Sequence, residues 1–310
     1  MTLDKLKKIS ALLFVLLFSV SFLASCSQDG LQSVSGKTLM TIGNYKFTDT
    51  EYNYFYQNYI DNESYSDAEA AAAAENDLRH YAAVLTLCKK YDIALTDSEK
   101  SECEEELSAA IDYYGSKEEF ESAIALYNMT SDLYLRLVQL QTLETDLRSY
   151  MIDETSLDDD NNPIINSSDE VVLNDIKTNF YAIKQIFICN DEGDDITQNK
   201  EIIESIYDML LQGADFDALM DEYNETDSTD SISGYFTDGM LLEEIENTAK
   251  VTDIGSYSDI VETKAGYSII FRLPLNDDYI DDNFEDLRFY YQNRCFNEIL
   301  QNEADSLSVK

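Results

Sequence analysis

FYAIKQIFI (residues 180–188), followed by NKEIIESIYDMLLQGADFDALMDEYN (199–224), is where the chain changes character. The first stretch is a β-branched and aromatic run of strand length; the second is a helix, a break at Gly213 and a second short helix. Further strand signals follow in GYF (234–236), SYSDIVE (256–262) and GYSIIFRL (266–273), with a helical MLLEEIENTA (240–249) between them. This is the element order of an α+β domain.

Working outward, DETSLDDDNNPIINSSDE (153–170) is charged and carries Pro163, the composition of a loop or domain boundary. Upstream of it the signals are helical. KTLMTIGNYKF (37–47) reads as a strand or hairpin turning at Gly43-Asn44, and Thr48 or Asp49 caps a tyrosine-rich helix in which Tyr52, Phe55 and Tyr59 share a face. A cap at Ser66 or Asp67 opens a long helix with Leu78, Ala82, Leu85 and Cys88 or Lys89 on one side. Thr96 with Glu99 and Ser116 with Glu119 form two capping boxes. A further helix over about 131–151 carries the stripe Leu133, Leu137, Leu140, Leu143 and Leu147. Downstream, Phe284, Leu287, Tyr291, Cys295 and Ile299 give a last helix one apolar stripe, which needs a partner face; the N-terminal helical lobe is the expected one.

Lys5, Lys7 and Lys8 precede an apolar run from Ile9 to Phe22 that is shorter than the roughly 20 residues of a membrane span. The run ends at Leu23-Ala24-Ser25-Cys26, which resembles a bacterial lipobox, so residues 1–25 read as a lipoprotein signal peptide and Cys26 as the lipidation site. Two or more acyl chains there would anchor the chain to a membrane. Residues 26–36 form a tether with a reach of roughly 18 Å.

Cleavage removes three lysines and one aspartate and takes the net charge from −41 to −43. Such a surface excludes nucleic acid as a partner, since phosphate binding requires a basic stripe. The 44% hydrophobic content allows buried cores, and the mature length suggests two domains. Cys88, Cys103, Cys189 and Cys295 lack metal spacing and read as small buried hydrophobes; Cys88 and Cys103 could also pair in an oxidising space. His80 is the only histidine, which argues against a zinc site, and no cofactor is implied.

TIGNYKFTDTEYNYF (41–55), together with CKKYDIALTDSEKSECEEEL (88–107) and YYGSKEEFESAIALYNMTSDLYLRLVQLQ (113–141), resembles the helical lobe of the PrsA and SurA families of extracytoplasmic foldases. LLQGADFDALMDEYNETDST (210–229), GYFTDGM (234–240), IGSYSDIVET (254–263) and AGYSII (265–270) are similar, in order and spacing, to a parvulin domain. The resemblance implies an α+β fold: a helical lobe at 37–175, a parvulin-like insert at 176–275, and a C-terminal helix at 276–310 that packs on the lobe. It implies a membrane-anchored extracytoplasmic folding factor, a chaperone of the peptidyl-prolyl isomerase family, with unfolded or secreted polypeptides as clients.

The family builds its proline pocket from two histidines, an acidic or thiol residue, a methionine and a phenylalanine. The histidine positions fall on Gln185 and Ser268, and the acidic or thiol position falls near Ile232, with Asp230 beside it. The methionine matches Met240, and the phenylalanine falls at or beside Ile245. Both histidines are therefore replaced, and the expectation is a fold that binds extended polypeptide with most of its isomerase activity lost. Gln185 and Ser268 can still donate and accept hydrogen bonds, which would preserve a weaker network.

Two other readings compete. Asp158, Asp160, Asn162 and Asp169 sit at positions 1, 3, 5 and 12 of a calcium-loop frame, but Pro163 stands where the frame needs glycine, so an acidic linker is the simpler reading. The chain could also be a non-catalytic surface lipoprotein that uses the parvulin fold to bind one specific partner or peptide. A hydrolase is unsupported: there is no GxSxG and no P-loop.

Overall fold

The computed structural model describes residues 30–61, 65–190, 196–225 and 234–310. Residues 1–25, Cys26, Asp230 and Ile232 lie outside them. The chain folds as two units, Met1–Asp153 with Glu298–Lys310, and Glu154–Asn297. Among the described residues no helix is long and apolar enough to cross a membrane.

The first unit opens with the hairpin β1 (Thr38–Ile42) and β2 (Tyr45–Thr48), turning at Gly43, whose φ is +57°. The chain's last residues lie along β1: the N–H of Thr41 donates to Lys310 O and the N–H of Lys310 to Thr41 O, both at 2.9 Å. Five helices follow: α1 (Asp49–Ile60), α2 (Asp67–Lys90), α3 (Asp97–Tyr114), α4 (Lys117–Ile124) and α5 (Ser131–Ile152). Thr48, Ser66 and Thr96 each cap a helix with a reciprocal Glu three residues on. Ser116 accepts from Glu119 N–H, but the Glu119 carboxylate lies over the bare Cα of Gly115 instead of returning to the cap.

Helix α5 buries more than its expected stripe. Leu133, Leu140, Leu143 and Leu147 are buried and Leu137 only partly. A second side of the helix sends Leu135 into a cluster with Cys103, Leu107, Phe120 and Ile124, and Arg136 is buried at 3.0 Å from Glu51. Tyr52, Phe55 and Tyr59 of α1 are half-buried, as is Tyr54; the fully buried residue of that helix is Glu51, which serves both the cap and the arginine. Cys88 and Cys103 remain separate thiols, Cys88 Sγ 3.8 Å from Leu143 O and Cys103 Sγ 3.5 Å from Thr142 Oγ1, so the pairing weighed from the sequence is not made. Burial pushes the Cys88 thiol up to about 12.

The second unit contains α6 (Asp169–Asn179) and a sheet of β3 (Tyr181–Cys189), β4 (Gly234–Phe236), β5 (Val261–Thr263) and β6 (Gly266–Leu273), antiparallel throughout in the order β4-β3-β6-β5. Helices α7 (Ile196–Leu211) and α8 (Phe216–Tyr223) cover one face, where Ile186, Ile188, Tyr267 and Ile269 pack with Ile203, Ile206, Leu210, Phe216 and Leu219. Helix α9 (Glu243–Val251) packs on the other. Gly266 starts β6 at φ +144°, and a Cβ there would collide with Ile188 O, so only glycine lets the strands close. After α10 (Asp277–Asp282), helix α11 (Phe284–Ser306) is tied to α6 by Arg288–Asp169 at 2.6 Å and Arg294–Asp175 at 2.7 Å. Its buried stripe is Leu287, Tyr291, Phe296, Leu300 and Ala304, one residue round from the expected Cys295 and Ile299.

Candidate functional site

The face of the sheet under α9 carries the candidate residues. Side chains alternate along a strand, and β3 pairs with β6 so that Gln185 opposes Ile270 and Phe187 opposes Ser268. Ile183, Gln185 and Phe187 of β3 therefore share a face with Ser268, Ile270 and Arg272 of β6. Gln185 and Ser268 lie one diagonal step apart on it, a backbone separation of about 7–8 Å. Gln185 is half-buried and Ser268 is 1% exposed. Hydrophobic neighbours frame them: Ile183, Phe236, Val261 and Ile270 pack with Ile245 and Ala249 of α9.

Met240 stands just before α9, 39% exposed, and its Sδ accepts the N–H of Thr237 at 3.4 Å. The entry to the helix is fixed by Glu246, which accepts the Leu241 N–H at 2.9 Å. Lys250 bonds Asp238 at 2.8 Å, and that bond raises the lysine's pKa above its ordinary value. Met240, Leu241 and Leu242 together present exposed apolar surface at this corner. Gln185, Ser268 and Ile245 thus belong to one face and Met240 to the approach of the helix that packs on it, while Asp230 and Ile232 lie outside the described residues.

Two residues of this face were not singled out from the sequence. Arg272 opposes Ile183, next along β6 from Ile270, and its guanidinium lies 4.3 Å from the centre of the Tyr181 ring. Tyr181 in turn stacks on Phe236 at 5.5 Å. Counting alternate positions on from Ser268 in GYSIIFRL would have placed Arg272 on this face; nothing in the sequence would have marked its surroundings. The backbone of Arg272 is held by β3 and, at 2.8–2.9 Å, by Gly255 and Ser256, so the side chain is carried on a fixed strand.

Chemically the face offers an amide, a hydroxyl and an apolar floor, with no imidazole. Rotation about an X-Pro bond breaks no covalent bond and requires a held proline and favoured twisting of the amide. A metal is not suggested: among the described residues no group of three His, Cys, Asp or Glu is placed to hold one. In the acidic loop, Asp158 Oδ1 accepts the N–H groups of Asp160 and Asn162, both at 2.9 Å, and so closes a turn on itself.

Residues 185–272 match the rotamase family, described as the PPIC-type PPIase domain. Over 143 residues the chain is 26% identical to the foldase protein PrsA of Caldanaerobacter subterraneus subsp. tengcongensis, which is 43% of this chain and 47% of that protein. The chain thus spans about half the length of that curated relative. Among solved structures it is similar to the foldase protein PrsA of Streptococcus pneumoniae, with 18% identity, 87% of this chain and 93% of that one, and a TM-score of 0.37. It is also similar to a structure of the SurA-like chaperones PEB4 and Cj1289 of Campylobacter jejuni, with 11% identity, 88% and 98% coverage, and a TM-score of 0.31. The family model and the curated relative bear out the PrsA/SurA-type resemblance, and the α+β class holds.

Proposed function

We propose that this chain, whose residues 185–272 match the PPIC-type rotamase domain, is a membrane-anchored extracytoplasmic folding factor that holds extended, proline-containing polypeptide with little isomerase activity. The observation that supports the reading is that Gln185 and Ser268, the positions onto which the resemblance carries the family's two histidines, lie diagonally on one sheet face. An amide and a buried hydroxyl can hydrogen-bond a client's backbone but cannot supply a titratable imidazole network. Met240 and the apolar residues beside it favour capture of a proline ring. Lipidation at Cys26 would keep the protein at the membrane where secreted clients emerge, and the lipid must do the anchoring because an acidic surface is repelled by anionic bilayers.

The test is an exchange or protease-coupled assay of X-Pro isomerisation on the form beginning at Ser27, beside a client-aggregation assay, with Met240→Ala as control. Suppressed aggregation of several unrelated clients with isomerisation near the uncatalysed rate supports the reading. Strong acceleration that Met240→Ala removes would overturn the loss of activity, and binding of a single partner alone would replace the folding factor by a dedicated binder.

A further inference from the structure

Arg272 is the exception among the arginines. The chain has six, all in described residues, and the other five each reach a carboxylate: Arg79 to Glu75, Arg136 to Glu51, Arg148 to Glu144, Arg288 to Asp169 and Arg294 to Asp175. In a chain with 62 acidic residues against 21 basic ones, acidic partners are abundant for every guanidinium. The Nε and Nη1 atoms of Arg272 are sealed from solvent with no hydrogen-bond partner. The Tyr181 ring attracts the cation from one side but offers these N–H groups no in-plane acceptor. Burial lowers the arginine's pKa, and Tyr181 acts in the opposite direction. Lys250 of α9, the helix packed on this face, is answered by Asp238 and Glu246.

The place of this charge matters. Arg272 opposes Ile183 while Gln185 opposes Ile270, so Arg272 and Gln185 are diagonal neighbours on the face that the proposed function assigns to the client. The step of about 7–8 Å between them equals roughly two residues of an extended chain. Nη2 is the nitrogen of Arg272 that is not sealed in this way, so a carboxylate brought there would meet that corner of a guanidinium held on a rigid strand, in a charge-assisted hydrogen bond. The chain's overall negative charge does not cancel this, because exposed carboxylates more than about 8 Å away are screened at physiological ionic strength.

We propose that Arg272 is a specificity residue that receives the carboxylate of an aspartate or glutamate lying about two residues from the bound proline of the client. This rests on the client-binding reading of the face. The test uses the full chain from Ser27 and dye-labelled extended peptides of one sequence with a central proline, carrying Glu, Gln or Lys two residues to either side. Binding is followed by fluorescence anisotropy at low and physiological salt, for the wild type and for Arg272→Lys and Arg272→Met, with folding checked by circular dichroism. The expected result is a preference of about fivefold or more for Glu over Gln, larger over Lys, on one side of the proline. It should weaken in Arg272→Lys and vanish in Arg272→Met. If Arg272→Met does not fold, Arg272→Lys decides, since it keeps the charge and loses the planar fork. Equal binding of the Glu and Gln peptides, or a preference unchanged in the folded variants, overturns the role of Arg272 and leaves the client face standing. Failure of all the peptides to bind overturns both.

Discussion

Under α7 and α8 the sheet presents Ile186, Ile188, Tyr267 and Ile269 as a continuous apolar layer; under α9 the same two strands present Gln185, Ser268 and Arg272 between Ile183 and Ile270. That layer gains from burial at roughly 25 cal/mol per Å² of apolar surface, with Lys184 the one charged residue of β3 on its face. The other gives up part of that gain to hold polar groups at fixed spacing. Strand alternation makes the division clean, because a residue cannot serve both faces.

The most damaging single change should strike both faces together. Gly266→Ala places a Cβ against Ile188 O in a backbone conformation that alanine avoids, and is expected to cost more than about 3 kcal/mol or to prevent the second unit from folding. Denaturant midpoints would show it, and near-wild-type stability would mean that the strand start yields more readily than its geometry implies. Next, Ile269→Ala should cost about 2–5 kcal/mol, whereas its neighbour Ser268→Ala, on the other face, should cost less than about 1.5 kcal/mol. Equal losses would erase the distinction between the faces. Restoring imidazoles with Gln185→His and Ser268→His together should raise X-Pro isomerisation at least about tenfold while leaving aggregation suppression in place. No gain would show that the floor of the face, and not its polar pair, limits catalysis.

The smallest effect concerns the salt link between Asp238, before α9, and Lys250 in its last turn. The pKa of Lys250 is raised in the folded state, so the contribution of its bond to Asp238 is complete below the ordinary lysine value of 10.5 and fades as pH rises through the folded value. For so exposed a pair this should amount to a few tenths of a kcal/mol, and Asp238→Asn should flatten the alkaline slope of stability by that amount. A pH profile identical in the two proteins would remove the link from the account.

What was legible in the sequence was whatever depends on near neighbours. The caps at Thr48, Ser66 and Thr96, the strands at 180–188 and 266–273, and helices α7, α8 and α9 all follow from periods and caps within one element, whereas α6 and α10 were not anticipated. The order and spacing of the second unit's phrases were legible as well, and they fall within the stretch 185–272 that matches the rotamase domain. What was hidden depends on partners distant in sequence. Glu51 looks like an ordinary N3 glutamate until Arg136 arrives, Leu137 yields part of its burial to Leu135 because α5 faces two neighbours, and Arg272 is conspicuous only for what does not surround it.

The bridge between β1 and residues 309–310 has a temporal meaning. Val309 bridges to Ile42, Lys310 pairs with Thr41, and Arg79 of α2 donates to the carbonyls of Ala304 and Leu307. A chain that emerges from its N-terminus must therefore make the whole second unit before the first can close. The hairpin and helices that come first have to wait with an unfinished edge, and the entropic toll of closing so long a loop falls on the last step of assembly. A chain built in this way would itself depend on being shielded, or on folding its second unit quickly, during the interval in which its own β1 edge is open.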